Sequence, residues 1–345
     1  MVPTRSRSIF SFALSPALLL LGGLLSYGAA VQEDVVAEKH RTGAVVIEAE
    51  GVPYKTYVET FHRYGGRPKP EDMAKARKGM NRVESAGVRP RWQVHVPQSY
   101  DPSIPHGVLV FINSGDSGKV PGKWTEALAR HRLIWIGADA SGNKKDTLWR
   151  HSLAVHAVGL IKARYSVDED RVYVSGNSGG GRVSSQVAIV HGDLFDGGFY
   201  HIGCNPYRSL SLEGNKYLPG FLARPNPRLL ARARVNRFVL LTGEKDFNRD
   251  GTKKVFQLYQ KDGFRNVTYL EVPGMAHRSP PADWFAKGIA ALDQPLGKEA
   301  AKTHKLAGSL EKRGQFGRAL AAYTKAAAHG KGQEFAEDAA ARAQA

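Results

Sequence analysis

Short apolar runs rich in β-branched and aromatic residues recur from Arg91 onward and alternate with stretches of helical spacing. This pattern predicts an α/β chain with a mostly parallel sheet flanked by helices. The predicted strands are Trp92–Val96, Val108–Ile112, Leu133–Ile136, Val172–Ser175, Gly198–Ile202, Phe238–Thr242 and Val267–Val272. Unbroken apolar sequence such as Val108-Leu109-Val110-Phe111-Ile112 suits a strand buried on both faces, which a parallel sheet requires. Leu148–Ala163 predicts a helix ahead of the fourth run. Before residue 91 the pattern is mixed, with one β-like run at Ala44–Ile47 and a break at Gly65-Gly66-Arg67-Pro68.

The two ends differ from this middle. Residues 1–30 read as a secretory signal: Arg5 and Arg7, an apolar stretch from Ile9 to Leu25, then Gly28-Ala29-Ala30 before the expected cut. Pro16 and Gly22-Gly23 make a poor span, so the mature chain is expected to be secreted or periplasmic with no membrane helix. After Pro295 the sequence turns to Ala, Lys and Gly with helical spacing, predicting a small helical hairpin. Leu306, Ala307, Leu310, Gly314, Phe316, Ala319, Tyr323 and Ala326 are spaced like one tetratricopeptide-like repeat, and equally like a plain amphipathic pair. Such a hairpin buries too little alone, so it either docks on the main domain or takes a protein partner. The organisation read is therefore a signal over 1–30, an N-terminal segment over 31–90, the sheet domain over 91–294 and the tail over 295–345.

Composition narrows the chemistry. The 49 Lys and Arg against 32 Asp and Glu give a formal charge of +17, yet no zinc-finger spacing, RNA-binding aromatic signature or basic zipper accompanies it. Nucleic acid is not an expected partner, and the arginines at 224, 228, 232, 234 and 237 are the densest basic patch. The single cysteine, Cys204, excludes an intramolecular disulfide and a cysteine metal cluster. No metal or cofactor site is expected.

The most informative stretch is Val172-Tyr173-Val174-Ser175-Gly176-Asn177-Ser178-Gly179-Gly180-Gly181, a strand, then Gly-x-Ser-x-Gly, then a helix. A serine on so tight a turn needs small neighbours two places away, and Gly176 and Gly180 supply them. A serine hydroxyl is inert at neutral pH without a base, which itself needs an acid to orient it. Asp246, just past the Phe238–Thr242 run, is the expected acid, with Glu244 and Asp250 as fallbacks. His277, just past the Val267–Val272 run, is the expected base. Two amides should meet an oxyanion: Gly179, and Gly115 in the loop Asn113–Gly118, with Ser114 next. Arg150 and Asn177 are substrate-binding candidates, Arg150 because its forked guanidinium suits a carboxylate.

These residues resemble the α/β-hydrolase fold and, more closely, the secreted esterases of the polyhydroxybutyrate depolymerase and feruloyl esterase type. The likeness lies in Trp92–Pro102, with its strand, Pro97, Tyr100 and Asp101, and in Ser166–Gly176; it covers about Arg91 to Leu292. The resemblance implies hydrolysis of a small or aromatic carboxylic ester through an acyl-enzyme on Ser178. Such esterases carry His-Gly where this chain has Asn113-Ser114. A peptidase or lipase on the same fold, or a silent binding protein of the cell envelope, are the competing expectations.

Overall fold

The computed structural model describes residues 39–49, 89–211, 217–218, 220, 225–330 and 335–344 and a few single positions between 59 and 78. The leader read over 1–30 lies outside them, as does Arg224 of the basic patch. Each apolar run becomes a strand: β1 (Gly43–Glu48), β2 (Arg91–Val96), β3 (His106–Ile112), β4 (Leu133–Ala138), β5 (Val167–Asn177) and β6 (Gly197–His201). After a two-residue ladder of β7 (Leu210–Ser211) with β8 (Tyr217–Leu218) come β9 (Arg237–Gly243) and β10 (Asn266–Val272). The eight-stranded sheet has the order β1-β2-β4-β3-β5-β6-β9-β10. β2 runs antiparallel to both neighbours, and every pairing from β4 to β10 is parallel.

Hydropathy places these strands. Every residue of β3, β4, β6 and β9 is buried, as their continuous apolar sequences require of central strands. The edge strand β1 instead alternates, with Val45 and Ile47 inward and Val46 half-exposed. One face of the sheet is covered by α2 (Thr147–Lys162), α3 (Gly179–Val190) and α5 (Arg249–Lys261) through Leu153, Val187 and Leu258. The other is covered by α1 (Thr125–Arg130) and the start of α6 (Ala282–Lys312) through Leu128, Phe285, Ile289 and Leu292. A short α4 (Pro227–Ala233), capped by Asn226, precedes β9.

The tail departs from the expected hairpin. α6 runs unbroken through Pro295, so the boundary read between 294 and 295 falls inside one helix. An internal proline costs about 3 kcal/mol. Packing of Phe285 and Ile289 on the sheet and of Ala300 and Ala307 beyond the proline holds both halves. Asp293 adds a part-buried anchor: Arg171 grips it through Nη2 at 2.7 Å and Nε at 3.1 Å, and the Tyr173 hydroxyl donates to it at 2.8 Å. With α7 (Phe316–His329) and α8 (Phe335–Gln344), α6 makes three helices around Ala307, Leu310, Ala319, Tyr323, Ala326 and Ala339. Leu306 and Phe316, counted inward by the repeat spacing, are exposed. The basic patch also disperses: Arg237 is buried and donates to the Asp170 carbonyl, whereas Arg232 is half-exposed near Asp196.

Candidate active site

β5 ends at Asn177, and the chain reverses at Ser178 with φ 51° and ψ −118° before entering α3. A left-handed φ costs an ordinary residue about 1–2 kcal/mol, so the turn must be held by its surroundings. Ser178 N–H donates to the His201 carbonyl at 2.9 Å and Arg182 N–H to the Ser178 carbonyl at 3.0 Å. The glycines are required by contact. A Cβ on Gly176 would lie 2.5 Å from the Ile112 carbonyl oxygen, and one on Gly180 only 1.9 Å from it. Gly180→Ala should therefore cost about 3 kcal/mol in a denaturant titration, because backbone rather than a flexible side chain has to yield. An unchanged midpoint would mean that β3 and the elbow are not packed in this way.

The other two residues arrive on loops after β9 and β10. Gly274, at φ +64°, turns the second loop, buried Met275 plugs it, and Lys245 N–H donates to the Met275 carbonyl at 2.9 Å, tying loop to loop. His277 then bridges: its Nδ1 lies 2.7 Å from Asp246 Oδ1 and its Nε2 2.9 Å from Ser178 Oγ. Asp246 is fully buried but not starved of donors, since Thr242 Oγ1–H donates to Oδ2 at 2.8 Å and Asn248 N–H to Oδ1 at 3.0 Å. Asn248 is fixed in turn, accepting from Arg182 and donating to the Ile202 carbonyl, each at 2.8 Å. The fallback acids lie elsewhere: Glu244 accepts from Gly274 N–H, and exposed Asp250 sits in the first turn of α5. Serine, imidazole and carboxylate so aligned can pass a proton from Oγ to Nε2 while Nδ1–H stays on the carboxylate.

The amides behave less simply. Gly179 opens α3, where first-turn amides have no partner within the helix. Gly115 N–H, expected as the second donor, is engaged by Asn113 Oδ1 at 3.3 Å, and Ser114 N–H by Asn177 Oδ1 at 3.2 Å. Asn177 also donates to Ser279 Oγ at 3.3 Å, so its carboxamide joins this loop to the one that carries His277. Arg150 is placed otherwise than its candidacy suggested. It is 4% exposed, beneath the loop, and donates to the Asn113 carbonyl at 2.9 Å; burial lowers its guanidinium to about 10.

Several neighbours carry no motif. The Asn143 carboxamide lies directly on Gly179, where a Cβ would be 2.1 Å from its Oδ1. Phe247 is 76% exposed, yet its ring stacks on His277 at 4.0 Å between centroids. His201 sits below the elbow among Phe111, Trp124, Phe199 and Phe285, and burial pushes its imidazole down to about 3. His191 is buried at the far end of α3. Cys204 is buried, which raises its thiol to about 12. Among the described residues no helix is long and apolar enough to cross a membrane.

No family model and no curated protein matches the chain. Solved structures similar to it include Est1E from Butyrivibrio proteoclasticus, 13% identical over 59% of this chain and 92% of that one, with a TM-score of 0.42. LpqC, a poly(3-hydroxybutyrate) depolymerase from Bordetella parapertussis, is 17% identical over 58% of this chain and 88% of that one, TM-score 0.42. A puromycin-hydrolyzing peptidase of Mycobacterium tuberculosis is 17% identical over 60% of this chain, which spans 37% of its length, TM-score 0.42. The fold rests on the strand order and the elbow rather than on these likenesses. With an antiparallel β2, a parallel block from β4 to β10 and a serine turn between β5 and α3, the chain has the α/β-hydrolase fold.

Proposed function

We propose that the chain is an exported serine hydrolase that cleaves carboxylic esters through an acyl-enzyme on Ser178. The observation that carries this reading is the hydrogen-bonded chain from Ser178 Oγ through His277 to buried Asp246, set on a strained elbow. Ser178 Oγ attacks the ester carbonyl carbon as its proton passes to His277 Nε2, giving a tetrahedral oxyanion beside Gly179 N–H. For the Asn113–Gly118 loop to supply a second donor, one of its long amide contacts exchanges Asn113 or Asn177 for the oxyanion. His277 then protonates the departing alkoxide, the acyl group stays on Ser178, and water activated by His277 releases the acid. The sequence resemblance of Trp92–Pro102 and Ser166–Gly176 supports an ester as the bond attacked, and the exposed Phe247 ring favours an apolar or aromatic group beside it. Export rests on the pattern of residues 1–30.

A fluorophosphonate tests the chemistry directly. One equivalent should add to Ser178, identified by peptide mass, and hydrolysis of a short-chain nitrophenyl ester should disappear in step with labelling. A folded protein that neither labels nor hydrolyses any ester would overturn the proposal.

A further inference from the structure

We propose that Asp168, Asp170 and His329 form a binding site for one divalent transition-metal ion of the zinc class, clipping α7 to the start of β5. Asp168 and Asp170 flank Glu169 where β5 slips register against β3, and Asp170 N–H donates to Asp168 Oδ1 at 3.1 Å. His329, the last residue of α7, brings its imidazole down between them. Its Nε2 lies 3.2 Å from each carboxylate oxygen of Asp168 and 3.9 Å from Asp170 Oδ2. Donors bound at about 2.1 Å to a tetrahedral ion stand about 3.4 Å apart, and the observed spacings bracket that figure. One donor atom from each residue falls within 4.8 Å of the others.

Charge gives the second argument. The His329 side chain is 5% exposed and that of Asp168 is 10% exposed. Two carboxylates around one imidazole nitrogen, largely closed off from solvent, favour a divalent cation among them. One imidazole nitrogen with two carboxylates suits zinc or cobalt better than calcium, which takes six or more oxygen ligands. Two cations already adjoin Asp170: buried Arg237 donates to its carbonyl, and Lys325 Nζ lies 3.0 Å from its Oδ2, a pair so open, with both groups about half-exposed, that it is worth little. The exposed side of Asp170 leaves room for a water as fourth ligand. Ser178 lies at the other end of β5, roughly 30 Å away along the strand, so the ion would act on the tail and not on the ester.

The test uses the full chain, freed of metal with a chelator and titrated with zinc by calorimetry and with cobalt by visible absorption. One ion per chain is expected, and His329→Gln or Asp168→Asn should weaken zinc binding at least tenfold. Lys325→Ala removes the competing ammonium from an exposed position and should tighten binding several-fold, an outcome that misfolding cannot imitate. No binding up to about 0.1 mM zinc, or an isotherm that neither His329→Gln nor Lys325→Ala alters, would show that the cluster is a hydrogen-bonded dock for the tail and not a metal site.

Discussion

Ser178→Ala is expected to lower kcat/KM for a nitrophenyl ester by roughly 10⁴- to 10⁶-fold, and Asp246→Asn by about 10⁴-fold, with the fold intact in both. The serine supplies the atom that bonds to the substrate, so its loss leaves only binding and the amides. The aspartate acts through His277. Its negative charge fixes the proton on Nδ1, which leaves Nε2 free to accept from Ser178, and it stabilises the imidazolium formed during attack. Asparagine keeps the size and can still meet Thr242 and Asn248, but loses the charge. A 10⁴-fold loss corresponds to about 5.5 kcal/mol in the barrier. Since Asp246 is fully buried and already pinned by two other donors, little of that should appear in the thermal midpoint. Steady-state rates with matched unfolding curves check this. An Asp246→Asn variant that keeps a tenth of the activity would remove Asp246 from its role, and neither Glu244 nor Asp250 is placed to take it.

Much of this arrangement was legible because the information is local. The strands announce themselves as apolar runs, and the elbow as glycines at fixed offsets from a serine. The start of β5 is a different matter: Val167 pairs with His106 of β3, but the register then slips until Val172, and Asp168, Glu169 and Asp170 give this stretch no apolar signature. Pro295 carries a strong stop signal, yet α6 passes through it because both halves are anchored by burial elsewhere. What engages the Gly115 amide was not legible for a related reason. Which way an amide points depends on what its neighbours offer, and here the Asn113 and Asn177 side chains reach the loop amides first. Asn143 and Phe247 gave no signal because their importance is a distance across loops, not a spacing along the chain.

Acid should destabilise the protein well before its carboxylates titrate. His151 and His201 are fully buried, and burial lowers each to about 3, His151 despite its contact with Gln186 and with Arg150 adding to the effect, His201 with a further push from Lys123. His191 moves the same way through burial and the charge of Arg63, and His156, through burial and Arg164, falls to about 4. In the unfolded chain each returns to about 6.5. Lowered values in the folded state mean that the unfolded state binds more protons below pH 6.5, so stability is full above that pH and falls until the folded values near 3 are reached. At pH 4.5 His151 and His201 each account for roughly 3 kcal/mol of loss, together a large part of the 5–15 kcal/mol typical of a domain. Asp293 contributes only later. Burial raises it, but Arg171 and hydrogen bonds from His131, Arg171 and Tyr173 more than offset this, and the resulting stability is lost only as pH falls below about 4. Urea titrations from pH 7 to 4.5 should therefore show a falling midpoint that begins near 6.5. His151→Gln should reduce the slope by about 1.4 kcal/mol per pH unit below that point, whatever it costs at pH 7. A midpoint flat to pH 4.5 would mean that these rings already carry their protons in the folded protein.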